Sequence, residues 1–346
     1  MRHQRTGKRV TLQDIARKTG YSLTTVSRAL RNMSDIGPEA TACIQQTAKE
    51  MGYVANQTAV ALRYGRTNNI TVILIDLTNP FYSIIANFIQ LAAYEMGYSL
   101  TIACSWGKPE LECHLVEQAI ACRADGVLLF PFRDSGRAIE MLQAANVPFV
   151  LLAAALPPYQ TDSIIIDDEN GAHIATTHLI HAGCRKVAFL SLSSSVLSYV
   201  PRCRGFLRAC EDAGIDEKDR YLCTFSNNDT SSEDDPNSLP LLLPRLKREG
   251  VEGLFIFCDI EAWRIMASLQ RSYQLNLDDF KMVSMDNIDS ALPSPIPLCS
   301  VDCSLETIAR RGIELLRDRI QGDDRPPKTI VCPVTLMCRN SCQAEK

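Results

Sequence analysis

What the 346-residue chain lacks narrows its class before any motif is weighed. No apolar run approaches the eighteen or so residues that a membrane span needs, so insertion into a bilayer is not expected. Residues 1–16 are basic and polar rather than an apolar stretch ending in a cleavage site. No secretory signal is therefore read there, and a cytoplasmic protein is expected. No glycine-rich phosphate loop follows a strand-like run, no Gly-x-Ser-x-Gly elbow occurs, and no nucleophile is paired with a base, which argues against an enzyme. The fourteen cysteines are scattered without a Cys-x-x-Cys pair, their closest spacings being Cys299/Cys303 and Cys338/Cys342. Reduced thiols in core positions are expected rather than disulfides. His178 and His181 have no cysteine or carboxylate at ligand spacing in the sequence, so neither a metal nor a cofactor is expected.

What remains is an ordinary globular composition, 46% hydrophobic and 22% charged, in a length that suits a small module plus a two-lobed body. The net charge of −4 hides an asymmetry. Residues 1–66 carry eleven Lys/Arg against four acids, a net of +7, and the remainder carries −11. A basic head on an acidic body is the electrostatic footprint of a nucleic-acid-binding module attached to a body with another task.

Within the head, Thr11 precedes Leu12, Ile15 and Ala16 at helical spacing, and Asp14 completes a capping box, so a helix begins there. Gly20 supplies the turn, Ser22 caps a second helix from about Leu23 to Leu30, and a third runs from Pro38 to Met51. In the second helix Val26, Ala29 and Leu30 face the first, leaving Leu23, Thr24, Thr25, Ser27 and Arg28 on or near the other side. Residues 53–63 read as a short helix capped by Asn56 with too little apolar surface for a core, one that orders only against something else.

Behind the head, strand-like runs alternate with helical patterns, the sign of parallel sheets covered on both faces. The expected strands are 70–75, 126–130, 147–152, 164–166, 186–191, 253–257 and 281–285, with helices at about 80–96, 111–122, 136–145, 170–182, 201–213, 239–249, 260–273 and 305–320. Ligands bind such sheets at the carboxyl ends of the strands. The residues singled out there are Asp76 and Phe81, Asp168 with Asp167 as its competitor, Asp259 and Asp286, with Arg202 opening a helix. Trp106 either supplies an apolar face to a sugar ring or covers the cleft edge. Capping of the next helix is the alternative for Asp76 and Asp168, and plain core for Phe81.

Several blocks in order carry a specific resemblance. They are Thr11 through Ser22 (TLQDIARKTGYS), Thr25 through Leu30 (TVSRAL), then Gly52, Tyr53, Asn56, Ala59 and Leu62, followed by Asp76 through Tyr82, Arg202-x-x-Gly205-Phe206 and Asp286. Together they resemble the lactose/galactose-repressor (LacI/GalR) family of bacterial transcriptional regulators over nearly the whole chain. The resemblance implies an N-terminal all-α helix-turn-helix head plus an α/β periplasmic-binding-protein-like core of two doubly wound parallel-sheet lobes. Its expected boundaries are a DNA-binding domain at 1–52, a hinge at 53–66 and a core at 67–346, with an N-lobe at about 67–165 and 301–323 and a C-lobe at about 166–300 and 324–346.

By that resemblance Leu23 and Thr24 select bases, Arg28 reaches a base edge, and Thr11, Thr25 and Ser27 contact phosphate. Asn56 and Ala59 belong to the hinge, and Leu62 is the wedge that kinks a pseudo-palindromic operator through the minor groove. Ordinary helix packing is the alternative for Leu62. The resemblance also implies a homodimer, with Asp76, Phe81, Trp106, Asp168, Arg202, Asp259 and Asp286 around a small-molecule effector, a sugar or sugar phosphate. A repressor of carbohydrate uptake or metabolism genes is the leading reading. A purine- or other metabolite-responsive corepressor system is the runner-up, ahead of a sugar-binding transport protein. The chain departs from the family pattern at Arg31 (usually Asn), Ala55 (usually Pro before the hinge asparagine) and Cys258 (Asn in many sugar-responsive relatives).

Overall fold

The computed structural model describes residues 10–54, 66–226, 235–271, 275–288 and 297–342. Two compact units divide the chain at Thr67/Asn68. The first holds α1 (Leu12–Thr19), α2 (Leu23–Ala29) and α3 (Pro38–Glu50). The capping box forms as the spacing predicts: the Thr11 hydroxyl accepts from the Asp14 amide, and the Asp14 carboxylate accepts from the Thr11 amide at 3.0 Å. Gly20 ends α1 at φ 79°, a left-handed conformation that glycine adopts without a Cβ penalty. Ser22 then accepts from the Thr25 amide at 3.1 Å and opens α2. Ile15, Val26, Ala29, Ile44 and Ala48 are buried together as the head's core. The expected hinge residues Asn56, Ala59 and Leu62 lie outside the described residues.

In the second unit two six-stranded sheets form two lobes. The first comprises β1 (Asn69–Leu74), β2 (Ser99–Cys104), β3 (Gly126–Leu129), β4 (Phe149–Ala153), β5 (Ser163–Ile166) and β11 (Thr329–Cys332), in spatial order β11-β5-β4-β3-β1-β2 and all parallel. Helices α4 (Pro80–Glu95), α5 (Pro109–Ala121) and α6 (Gly136–Ala144) connect its strands. The second sheet runs β12-β10-β9-β8-β6-β7, built from β6 (Val187–Ser191), β7 (Arg220–Thr224), β8 (Gly253–Ile256), β9 (Lys281–Asp286), β10 (Cys299–Asp302) and β12 (Thr335–Met337). Only β12 is antiparallel in it. Its helices are α7 (Asp168–His181), α8 (Tyr199–Asp212), α9 (Leu239–Arg248) and α10 (Asp259–Arg271), while α11 (Leu305–Ile320) returns to cover β3, β4 and β5 of the first lobe. Central strands β3 and β8 are buried along their whole length, as strands covered on both faces must be.

The chain passes between lobes three times, after β5, after β10 and after β11. The last passage lies between Cys332 and Thr335, not near residue 323 as the sequence reading had it, because Thr329–Cys332 pairs with β5 in the first sheet. Strands β2, β7, β10, β11 and β12 were not among the expected ones. Gly205 of α8 lies against α7 so closely that a Cβ there would stand 2.0 Å from the Glu169 carbonyl oxygen. That contact sets the spacing of the two helices whose first turns carry Asp168 and Arg202. Among the described residues no helix is long and apolar enough to cross a membrane.

Candidate functional site

The head presents α2. Leu23 is 50% exposed, Thr24 is exposed, and Thr25, Ser27 and Arg28 are half-buried along the same helix. Asp35 holds the Arg28 guanidinium by two contacts, Nε to Oδ1 at 3.2 Å and Nη2 to Oδ2 at 2.5 Å, which presets the direction of that long side chain. Arg31, one of the departures, donates from Nε to the Ser27 carbonyl at 2.8 Å and so packs back along α2. The Thr11 hydroxyl is occupied by Asp14 at 2.7 Å.

In the core a cavity of about 370 Å³ lies between the lobes, within the range of about 300–1,000 Å³ usual for small-molecule sites. Lobe one contributes Asp76, Phe81, Tyr82 and Phe130 from strand ends and the start of α4; lobe two contributes Asp168, Arg202, Phe257, Glu261, Arg264 and Asp286. The loop after β6 closes one side, where the Ser195 carbonyl accepts from Arg133 Nε of the other lobe at 3.3 Å.

Arg202 is the centre of the wall. Its Nε donates to Asp168 Oδ1 at 2.7 Å, Nη1 donates to the Phe257 carbonyl, Nη2 stands 3.8 Å from Asp286 Oδ1, and the guanidinium carbon lies 4.3 Å from the Phe257 ring centroid. All three charged side chains are buried. Burial opposes the guanidinium charge, but Asp168 and then Asp286 outweigh it and hold Arg202 protonated more firmly than usual. Burial pushes the Asp168 carboxyl up against the pull of Arg202. Asp286 rises further, because the Asp259, Asp168 and Glu261 carboxylates add to its burial. Glu261 is pushed up to about 7 by burial, with the Leu192 amide at 3.0 Å and the two arginines opposing. Arg264 lines the same wall and lies near enough to Glu261 to oppose the rise of its carboxyl.

Of the residues expected at the cleft, Asp76, Phe81, Asp168, Arg202 and Asp286 line it, and two do not. Trp106 is 63% exposed at the end of edge strand β2, with Lys108 Nζ 6.0 Å from its ring. Asp259 is fully buried behind the wall, accepting from Ser284 Oγ, Ser300 Oγ at 2.6 Å and the Ile288 amide at 2.8 Å; its task is to fix the ends of β9 and β10. Asp167 rather than Asp168 caps α7, accepting from the Asn170 amide at 3.3 Å. Asp76 closes an Asx turn with Thr78, while Asn79 caps α4. Glu261, Arg264, Tyr82, Phe130 and Phe257 were missed. Phe130 and Phe257 directly follow strands, and Glu261 and Arg264 share a face of α10 one helical turn apart, so a strand-end search carried one turn further finds all four.

This architecture coincides with that of known regulators. The family model "Bacterial regulatory proteins, lacI family" matches residues 11–56, and "Periplasmic binding proteins and sugar binding domain of LacI family" matches residues 67–240. The chain belongs to the LacI family. It is thus a DNA-binding transcription regulator rather than an enzyme. A further model, "Periplasmic binding protein-like domain", matches residues 176–342. Among LacI-type relatives, HTH-type transcriptional regulator DegA of Bacillus subtilis (strain 168) is 26% identical over 337 residues, covering 96% of this chain and 98% of its own. HTH-type transcriptional regulator CelR of Thermobifida fusca is 28% identical over 342 residues with the same coverage. HTH-type transcriptional repressor PurR of Mannheimia succiniciproducens is 26% identical over 337 residues, again covering 96% of this chain and 98% of its own. A solved CelR–cellobiose complex superposes with a TM-score of 0.67 at 26% identity, covering 96% of this chain and 100% of that one. The lac repressor dimer bound to operator and the anti-inducer ONPF superposes with a TM-score of 0.82 at 22% identity, covering 97% and 100%, which establishes the shared fold.

Proposed function

We propose that the chain is a cytoplasmic, homodimeric repressor of carbohydrate uptake or metabolism genes whose operator affinity is set by a sugar or sugar phosphate held between its lobes. The observation that carries this reading is Arg202, buried at the cavity wall between Asp168 and Asp286. Fixed charges of both signs around an arginine fork suit the donors and acceptors of a polyhydroxylated ring, and Phe81 and Phe257 offer it apolar faces. The cleft acids around Arg202 suit a neutral sugar, while Arg264, a second cation at the wall, suits a sugar phosphate equally well.

Residues 1–52 read the operator through Leu23, Thr24 and Arg28, with Thr11, Thr25 and Ser27 on phosphate. In a hinge at 53–66, Leu62 enters the central minor groove and Asn56 and Ala59 are further DNA-binding residues. A dimer sets two such heads on the two halves of a pseudo-palindrome.

A thermal-shift screen with sugars, sugar phosphates and purines tests the cleft, because a ligand bound only by the folded state raises Tm with concentration. The expected result is a sugar-class response lost in Arg202→Ala. Selective loss of a phosphorylated ligand in Arg264→Gln assigns the phosphate to that residue. A purine response with none from sugars overturns the sugar reading in favour of the metabolite-responsive corepressor alternative.

A further inference from the structure

Three side chains that no part of the cleft or head uses meet at the far end of α7. His178 in the last turn of that helix, Cys299 in β10 and Cys338 just beyond β12 bring Nε2 and two Sγ atoms within 4.8 Å of one another. His178 Nε2 and Cys338 Sγ are 3.6 Å apart. Two ligands on a tetrahedral zinc ion, with Zn–S about 2.3 Å and Zn–N about 2.0–2.1 Å, are separated by about 3.6 Å, so the pair already stands at ligand–ligand distance.

The surroundings also suit metal-bound sulfur. The Arg339 amide donates to Cys299 Sγ at 3.1 Å, an interaction that supports a thiolate and orients its lone pairs. Cys299 is fully buried, His178 is half-buried and Cys338 is exposed, which gives an ion a route in from solvent.

We propose that His178, Cys299 and Cys338 bind a thiophilic divalent cation of the zinc class, which fastens the C-terminal segment after β12 to α7 and β10. One imidazole and two thiolates form a ligand set that selects zinc over the hard cations magnesium and calcium, and the remaining coordination position is left to a small ligand. Because α7 also carries Asp168 at its opposite end, the ion braces a helix that serves the cleft.

The test uses the full-length protein, kept reduced and stripped with a chelator, and titrated with zinc against a chromophoric competitor. One equivalent per chain is expected, together with a rise in Tm. In parallel, cobalt(II) is expected to give a thiolate-to-metal charge-transfer band. Both signals are expected to be lost in Cys338→Ser and in His178→Ala, and retained in Cys122→Ser, an exposed cysteine elsewhere on the surface. Because Cys338 is exposed, its variant tests the ion without opening a cavity in the core. Absence of stoichiometric binding, a cobalt spectrum without thiolate character, or equal binding by wild type and Cys338→Ser overturns the proposal.

Discussion

Glu261 lies one turn inside the cleft wall with its carboxyl pushed up from 4.5 to about 7. In the unfolded chain it ionises near its ordinary value. Between pH 4.5 and 7 the folded state therefore binds the proton that the unfolded state has released, and stability falls as pH rises through that window, then levels off above it. Glu261→Gln is expected to remove this part of the slope, up to about 3 kcal/mol, as read from urea midpoints at pH 5 and pH 7.5. Identical losses in both proteins would show that Glu261 is ionised throughout. At this scale the sequence located Asp76, Phe81, Asp168, Arg202 and Asp286 at the cleft, because a residue just past a strand in a parallel sheet lies near the ligand crevice. Position along the chain did not give side-chain direction. Asp259 turns inward to the Ser284 and Ser300 hydroxyls, and Trp106 turns outward at an edge strand.

Among the elements, the α7–α8 pair depends on Gly205. Gly205→Ala is expected to push the helices apart, since the added Cβ meets the Glu169 carbonyl and the Ala172 methyl rather than a flexible side-chain end. Arg202, three residues earlier on α8, would leave Asp168. The expected outcome is a lower core Tm together with loss of the effector response, whereas an unchanged response would uncouple this helix spacing from the site. In the head, Ser22→Ala removes the acceptor for the Thr25 amide and is expected to cost about 1 kcal/mol of head stability, measured by thermal denaturation and by weakened operator binding. An undiminished melt would mean that Ser22 contributes no cap.

The helices and the buried central strands could be read from periodicity and long apolar runs. Four of the five strands missed, β2, β7, β11 and β12, are sheet edges, where exposed positions interrupt the apolar run that marks a central strand. The fifth, β10, reads Cys-Ser-Val-Asp, and its polar Ser300 and Asp302 break the apolar run that marks the equally short β3 and β8.

For the whole molecule, the proposed regulation carries a thermodynamic constraint that holds whether the effector releases the operator or recruits it. If effector changes operator affinity by some factor, commonly about 5–150-fold, then operator DNA must change effector affinity by that same factor. Calorimetric titration of effector with and without operator, beside operator titrations with and without effector, is expected to give equal ratios. Unequal ratios would mean that effector and operator are not linked through one equilibrium of the folded protein.

The sequence by itself determined the features set by local chemistry: the Thr11–Asp14 capping box, the Gly20 turn, the Ser22 cap, a basic head on an acidic body, and two parallel-sheet lobes with acidic strand ends. The caps and the turn follow from contacts within a few residues, the charge division from sums along the chain, and the lobes from the alternation of apolar strand-like runs with helical patterns and from the family resemblance. Only the tertiary structure decided that β11 belongs to the first lobe, that Arg202 lies between two carboxylates beside Arg264 and Glu261, and that His178 meets Cys338 across 160 residues of chain. Those depend on where the chain passes between lobes and which way each side chain turns there, and no local pattern encodes either.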